Sequence, residues 1–176
     1  IIKSSIENFN NEKKFDLIFS FNVFEHVDNQ EQYIINTVDL LTEGGKNIIF
    51  APNYDFPYEP HFIIPIIFNK KITEKIFKKR IENYEIKTQE SGLWDALQIT
   101  GKKKLCSFLN KKNFNYRFDD EIINKMLDRA LNDNFFRKRQ GLAGKLAVVG
   151  RKIYLDKIIF SFFRIPFPYF KLIMTK

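Results

Sequence analysis

The polar residues with the best spacing for chemistry lie near the start of the chain. Asn22, Glu25 and His26 stand at positions i, i+3 and i+4, so a helical turn would place them on one face. His61 is the only other histidine. Imidazole titrates near neutral pH, which makes His26 or His61 a candidate general base that removes a proton from a substrate hydroxyl. The structural alternative has Glu25 capping or pairing locally while His26 forms a hydrogen bond at the start of a helix.

Aromatic residues follow in a proline-rich stretch, residues 54–65. Tyr54, Phe56 and Tyr58 are candidates to shape a substrate pocket. Packing within a rigid loop or lid is the other interpretation of this cluster, and it is the one favoured for Phe62. Loops of this kind often carry function, because a rigid scaffold positions them.

The elements around these residues follow from short apolar runs. FDLIFSF, residues 15–21, predicts a strand buried on both faces, and Asn47–Ala51 predicts a second one. Apolar residues at helical spacing predict a helix over Gln30–Leu41, which Gly44-Gly45 would end because glycine adopts a positive φ easily.

Two strands joined by such a helix form a right-handed parallel crossover. Ligands of open parallel sheets bind beyond the carboxyl ends of the strands. We therefore expect Ser20–His26 and Asn53–His61 to lie on one edge of the sheet.

The rest of the chain predicts helices that alternate with short strands. A basic helix over residues 70–80 is expected to turn Ile72, Ile76 and Phe77 inward, and Asp119 or Asp120 is expected to cap a helix. The remaining predictions are a helix over 103–111 containing Leu105, Phe108 and Leu109, a strand at 114–118, the capped helix through Leu131, a helix after Gly144, and a last strand over 169–174.

Two longer segments carry a family resemblance. FDLIFSFNVFEHVDN resembles the fourth-strand motif of class I S-adenosylmethionine-dependent methyltransferases, and LLTEGGKNIIFAPN resembles their next helix, double glycine and fifth strand. FNYRF and YFKLIMTK are similar to the antiparallel final strands of that fold. The resemblance implies an α/β protein with a Rossmann-like sheet that lacks its first strands, and with C-terminal helices and antiparallel last strands. It divides the chain into a cofactor-domain part (1–57), a lid or helical substrate region (58–112), and last strands and helices that complete the same domain (113–176).

The same resemblance implies S-adenosyl-L-methionine as the cofactor. Ser5 and Ile6 would face its adenine, and the segment of Ser20, Phe21 and Asn22 would line its methionine portion. The family's glycine-rich loop, where glycine lets the backbone approach the ligand, is not found before Phe15. The expectation is therefore a fragment, or a variant that cannot bind the cofactor normally.

Some small-molecule O-methyltransferases and RNA-end methyltransferases with an ExxEH pattern here hold a divalent metal, assisted by a later histidine. This sequence has Asn22 in place of the first acid. Hard cations favour carboxylate charge, so we predict no metal site.

Composition limits the partners. The formal charge of +8 arises largely from short lysine runs that are typical of solvated faces, so nucleic acid is not an expected partner. The lone Cys106 excludes an internal disulfide and fits a reducing cytoplasm. No signal peptide is predicted, because the start IIKSSIENF has no basic region followed by an apolar core. No transmembrane segment is predicted either, because the apolar residues 158–170 are interrupted by Arg164, Pro166 and Pro168.

Two functions follow as hypotheses. The first is methyl transfer to an oxygen or nitrogen nucleophile of a small molecule or a glycan precursor, with Glu25, His26 and His61 as the catalytic candidates. The second is a non-catalytic interaction protein with a degenerate methyltransferase fold, in which residues 153–170 contact a partner or, weakly, a membrane surface. The sequence does not predict an oligomeric state.

Overall fold

The computed structural model of the protein describes residues 9, 13–119, 121–139, 141–154 and 166–176. Within these ranges the strands are β1 (Phe15–Phe21), β2 (Leu41–Pro52), β3 (Tyr58–Glu59), β4 (Ile64–Pro65), β5 (Asn115–Phe118) and β6 (Tyr169–Thr175). The helices are α1 (Gln30–Asp39), α2 (Lys70–Thr88), α3 (Leu93–Ala96), α4 (Lys102–Lys111), α5 (Glu121–Asn132), α6 (Asn134–Arg139) and α7 (Gly141–Lys152), and a single 3-10 turn covers Phe24–His26.

The central sheet has the strand order β1-β2-β6-β5. Strand β1 pairs with β2 in parallel, while β6 is antiparallel to both β2 and β5. The predicted parallel pair, its connecting helix and the antiparallel last strands are confirmed. The architecture is a mixed α/β sheet of the Rossmann-like kind, and its parallel pair places the carboxyl ends of β1 and β2 on one edge.

The double glycine has a different place from the predicted one. Helix α1 ends at Asp39, and β2 already begins at Leu41, so both glycines lie inside β2. The register between β1 and β2 shifts after Phe15, and Gly44 has a φ of 76° at this irregularity. A side chain at Gly45 would lie 3.0 Å from the carbonyl oxygen of Phe15. The glycines therefore allow a bulge in the strand rather than ending the helix.

The main core lies between the sheet and two helices. Ile49 of β2 and Leu172 of β6 are fully buried against Ile34 of α1 and Leu109 of α4. Burying one such side chain contributes about 1.5–3 kcal/mol. Strand β1, in contrast, is largely exposed, and its Phe19 has 74% of its surface accessible in the described part of the chain. The prediction that this strand is buried on both faces is therefore wrong.

A second apolar cluster surrounds the β3–β4 hairpin. Phe62, Ile64, Trp94 and Leu97 are buried in it together with Ile81 of α2. The packing interpretation of Phe62 is therefore confirmed, and Trp94 belongs to a core. This cluster fixes the hairpin on which His61 is carried.

Helix α2 is longer than predicted and turns a different face inward. Ile72 and Ile76 are exposed, whereas Thr73 and Ile81 are buried and Phe77 packs against the second cluster. The hydroxyl of Thr73 accepts a hydrogen bond from the backbone amide of residue 67 and donates to the carbonyl of residue 69, which holds this residue inward. The prediction for Ile72 and Ile76 is wrong because the packed face is centred on Thr73.

The chain divides into two compact units, Ile1–Phe118 with Pro168–Lys176, and Asp119–Phe167. In the second unit, Asp119 accepts a hydrogen bond from the first amide of α5, and Arg151 of α7 pairs with Asp128 of α5 at 2.9 Å. Asp120 and most of residues 153–170 lie outside the described residues. None of the helices in the described ranges combines the length and hydropathy needed to cross a bilayer.

Candidate active site

The site begins where β1 ends. Asn22 adopts a φ of 52°, a left-handed conformation that asparagine tolerates better than most residues, and its amide donates to Phe50 O at 2.9 Å. The chain then enters the 3-10 turn, whose Phe24 is 2% exposed. Gln98 N donates to Glu25 O at 2.7 Å and anchors the turn from outside. These contacts fix Glu25 at the carboxyl edge of the sheet. Asn22 lies before the turn, so the prediction that it shares one helical face with Glu25 and His26 is wrong.

The second loop leaves β2 and is tied to α4. Asn53 Oδ1 accepts hydrogen bonds from the amides of Asp55 and Lys102, and Asp55 Oδ2 accepts one from Lys103 N at 2.8 Å. Two side chains thus satisfy amides at the start of α4, which otherwise lack partners within the helix. The loop that leads to the hairpin is fixed as a result.

Glu59, the last residue of β3, is not among the catalytic or binding residues predicted from the sequence. It is fully buried, and its Oε1 lies 2.7 Å from both the backbone amide and Nδ1 of His61. Tyr54 donates its hydroxyl hydrogen bond to Oε2 of the same carboxylate. In the neutral imidazole, Nδ1 of His61 donates this hydrogen bond to Glu59 and Nε2 carries the lone pair. The Glu-Pro-His sequence at 59–61 was the available signal for this pair.

The two loops bring the predicted catalytic residues together. Glu25 Oε1 lies 3.7 Å from His61 Nε2 and 3.9 Å from His26 Nε2. The three potential ligand atoms of Glu25, His26 and His61 lie within 4.8 Å of one another. Glu25 is 1% exposed, and among the described residues neither of its carboxylate oxygens has a hydrogen-bond partner. We call this set the Glu25 cluster.

The electrostatics of the Glu25 cluster follow from burial. Burial raises the pKa of Glu25 from 4.5 to about 7, although its own backbone amide and the charge of His61 both act to lower it. For His61, burial acts to lower the pKa, but the hydrogen bond to Glu59 and the charges of Glu59 and Glu25 outweigh it, so the pKa is raised. The pKa of His26 is lowered by burial and by His61. The arrangement can accept a proton, and with one oxygen and two nitrogen donors it can also hold a metal ion.

Three of the predicted cofactor-facing residues, Ser20, Phe21 and Asn22, precede the 3-10 turn that carries Glu25. Ser20 Oγ and Asn22 Oδ1 are buried atoms without a hydrogen-bond partner in the described ranges. Phe21 is 64% exposed and stacks on Phe50 with ring centroids 4.4 Å apart. Ser5 and Ile6 lie outside the described residues. Two unsatisfied polar atoms at the end of β1 fit a polar ligand at this edge.

The aromatic residues of the loop separate into two groups. Tyr54 turns its hydroxyl to Glu59, and burial raises its pKa well above the usual range. Phe56 and Tyr58 contact each other edge to face, with centroids 6.4 Å apart, and both are partly buried. Tyr54 therefore supports the cluster, while a substrate-binding role for all three stays a prediction.

Comparison with known proteins gives a match to a methyltransferase domain family and matches to individual relatives. A methyltransferase domain family matches residues 1–49. An uncharacterized protein of Mycobacterium tuberculosis, Rv1509 of strain H37Rv, is 36% identical over 135 residues, which are 76% of this chain and 46% of that protein. The ubiquinone biosynthesis O-methyltransferase of Rickettsia canadensis is 29% identical over 100 residues, 57% of this chain and 41% of that protein. The chain spans about half the length of the curated relatives it matches.

Proposed function

On the premise that this chain belongs to the class I S-adenosylmethionine-dependent methyltransferases, we propose that it takes part in methyl transfer from S-adenosyl-L-methionine to an oxygen or nitrogen nucleophile. The observation that carries the proposal is the Glu25 cluster, which lies at the carboxyl edge of the sheet beside the unsatisfied atoms of Ser20 and Asn22. Ligands of parallel sheets bind at this edge. The family typically uses this cofactor, and the two orphaned atoms fit its polar methionine portion.

The cofactor, when bound, supplies an electrophilic methyl group on sulfur. The residues of this chain then have two tasks. Ser20 and Asn22 offer hydrogen-bonding atoms to the polar end of the donor, while the Glu25 cluster holds the acceptor and offers nearby atoms for the proton that its nucleophile gives up. Holding the two reactants in line accounts for much of the rate in such a transfer, because positioning can contribute roughly 7–11 kcal/mol.

The acceptor that we propose is a small molecule or a glycan precursor. Phe56, on the loop between β2 and the hairpin, and Tyr58, the first residue of β3, are partly buried, so they can contact an apolar or planar part of the acceptor. The name of the Rickettsia canadensis relative favours oxygen as the methylated atom. We place the reaction in the cytoplasm, because the lone Cys106 fits a reducing compartment.

The donor site is tested by calorimetry with S-adenosylhomocysteine, on a polypeptide that contains this chain and any flanking sequence that its gene encodes. Asn22→Gly removes the side-chain oxygen and keeps the positive φ. Losing one hydrogen bond, about 0.5–1.5 kcal/mol, is expected to weaken binding roughly 2- to 12-fold. Asn113→Gly is the matched control, since Asn113 has a φ of 54° and is exposed.

Transfer itself is tested with radiolabelled S-adenosylmethionine and a panel of phenols, catechols and sugar nucleotides. We expect acceptor-dependent formation of S-adenosylhomocysteine, reduced by His61→Gln. Failure to bind S-adenosylhomocysteine, or equal affinities for the Asn22→Gly and Asn113→Gly variants, would contradict the proposed donor site. Binding without transfer to any acceptor of the panel would count against the acceptor class.

A further inference from the structure

Helix α2 presents an exposed surface outside the Glu25 cluster. This surface combines three apolar and three basic side chains, which we call the α2 patch: Phe68, Ile72, Ile76, Lys71, Lys75 and Lys79. We propose that the α2 patch binds the surface of a membrane that contains anionic phospholipids.

The apolar residues of the patch point away from the core. Thr73 and Ile81 form the buried face of α2, whereas Ile72 and Ile76 are 41% and 57% exposed within the described residues. Phe68, just before the helix, is 93% exposed. Scattered single apolar residues are normal on a protein surface, but three at successive intervals of four residues indicate a binding surface.

The backbone is strained at two exposed apolar residues of this region. Phe68 has a φ of 57°, and Ile63 of the β3–β4 hairpin has a φ of 56° and is 50% exposed. The carbonyl of Phe62 accepts a hydrogen bond from Arg80 Nε at 3.1 Å, which holds the hairpin beside α2. Left-handed backbone is unfavourable for bulky and β-branched residues, and such strained positions are often functional.

Hydrogen bonds fix the start of α2 and so the position of the patch. Asn69 Oδ1 accepts a hydrogen bond from Ile72 N at 3.0 Å. Lys70 Nζ donates to the carbonyl oxygens of Asp95 and Leu97, each at 2.8 Å, and ties the helix to α3 and the residue after it. The patch is therefore presented by an ordered helix end, and binding does not have to include the cost of forming it.

The charge of α2 selects the partner. The helix contains six lysines and one arginine against three glutamates. Lys78 lies 3.9 Å from Glu82, but the three lysines of the patch take part in no ion pair among the described residues. Lysine keeps its ammonium group in water while its apolar stem lies along an apolar surface. Apolar residues flanked by lysines are typical of helices that lie in the plane of an anionic membrane.

This inference does not depend on the proposed function, because the α2 patch contains no residue of the Glu25 cluster. Membrane binding is measured without turnover, so its failure leaves methyl transfer untouched. A protein that binds vesicles but not S-adenosylhomocysteine would keep the patch and reject the proposed donor site.

The experiment is sedimentation with vesicles of phosphatidylcholine alone and with vesicles of phosphatidylcholine and phosphatidylglycerol in equal amounts. The protein is a polypeptide that contains this chain and any flanking sequence that its gene encodes. One test variant is Phe68→Asn, because asparagine tolerates the left-handed conformation. Phe135→Asn is its control, since Phe135 is 72% exposed on α6.

The second test variant removes the charge of the patch. It replaces all three lysines of the patch by glutamine. Its control makes the same change in charge at three exposed lysines in and just after α4: Lys103→Gln, Lys111→Gln and Lys112→Gln. Circular dichroism of each variant establishes that it is folded.

We expect wild-type protein to bind the anionic vesicles and not the neutral ones. Each lysine near an anionic membrane contributes about five-fold, so the triple variant of the patch should bind roughly 100-fold more weakly. Phe68→Asn should bind roughly 10-fold more weakly, because it loses apolar area that the membrane covers. Both controls should bind like wild type, and binding should weaken with salt, since the Debye length falls from about 10 Å at 0.1 M to about 3 Å at 1 M.

Phe68→Trp reports contact with the acyl chains directly. Trp94 is the only tryptophan of the chain and is 2% exposed in the second apolar cluster. Anionic vesicles with brominated acyl chains should therefore quench the fluorescence of this variant more strongly than that of wild type.

Three results in the vesicle assay would each overturn the proposal: no binding of wild type to anionic vesicles, equal binding to neutral ones, or folded patch variants that bind like wild type. A dimer in sedimentation velocity that Phe68→Asn converts to a monomer would also overturn it, because a second copy of the chain would then cover the patch.

Discussion

Replacing Glu25 by glutamine is expected to stabilise the protein at neutral and alkaline pH. The substitution keeps the size of the side chain and removes its charge. Glu25 is 1% exposed and has no hydrogen-bond partner in the described ranges, so its ionised form is unfavourable in the folded state. A neutral glutamine at the same position avoids that ionisation.

The magnitude follows from the pKa. Burial raises the pKa of Glu25 from 4.5 to about 7, and each pKa unit corresponds to about 1.4 kcal/mol. Because the folded state holds the proton more tightly, wild-type stability falls as the pH rises from 4.5 towards 7 and then levels off. The variant does not show this loss. It should be about 3 kcal/mol more stable at pH 8.5 and within about 0.3 kcal/mol at pH 4.

The groups that face Glu25 are His26, His61 and Glu59, with Tyr54 and Tyr169 also close enough to feel its charge. Removing the carboxylate also weakens the attraction that raises the pKa of His61. This loss lowers the stability of the variant, so it opposes the gain from removing the buried charge. That attraction requires protonated imidazole, so it fades as the pH rises. The alkaline end of the series therefore reports Glu25 most directly.

The assay is thermal and urea unfolding of wild type, Glu25→Gln and the exposed control Glu82→Gln, with a chelator, from pH 4 to 9. For a chain of this size, 3 kcal/mol corresponds to a rise in Tm of about 6–12 °C. A difference that stays the same at pH 4 and pH 8.5, or a variant no more stable than wild type at pH 8.5, would refute the reasoning.

Three further substitutions test the parts of the fold that position the cluster. Leu172→Ala should lower the free energy of unfolding by about 2–5 kcal/mol, since Leu172 is fully buried in the main core, and an unchanged urea midpoint would contradict that core. Asp55→Ala should lower it by about 1 kcal/mol by removing the acceptor for Lys103 N, with reduced hydrogen-exchange protection at the start of α4 as the second readout. Tyr54→Phe leaves one oxygen of the buried Glu59 without its donor, so thermal unfolding should show a loss of about 1–3 kcal/mol, and equal stability would mean that water replaces the hydroxyl.

The sheet was predictable because its signals are local. The apolar runs at residues 15–21 and 169–174 become strands β1 and β6, and the spacing of Leu105, Phe108 and Leu109 becomes the buried face of α4. Each of these patterns lies within about a dozen residues, over which periodicity is informative. The inward face of α2 was not predictable, because it depends on a hydrogen bond of Thr73 to the chain before the helix.

The site was predictable only in part, for the same reason. Glu25 and His26 are neighbours in sequence, and the parallel crossover correctly placed them on the same edge as His61. The Glu-Pro-His sequence brings Glu59 close to His61, but nothing local indicates that Glu59 is fully buried. Asn22 was counted as a lost metal ligand, although its left-handed conformation places it before the turn.

The stability prediction follows from a conflict between the burial of Glu25 and its charge. A carboxylate that lowers the stability of the folded protein is fixed in place by Phe24 beneath the turn and by the hydrogen bond from Gln98 N. Such local strain persists where the surrounding structure over-determines it, and such places are often functional. If the charge of Glu25 had no effect on folding, the stability difference between the glutamine variant and wild type would be the same at every pH. A stability difference that grows between pH 4 and pH 8.5 therefore distinguishes a buried carboxylate that destabilises the folded protein when ionised from a side chain that only fills space.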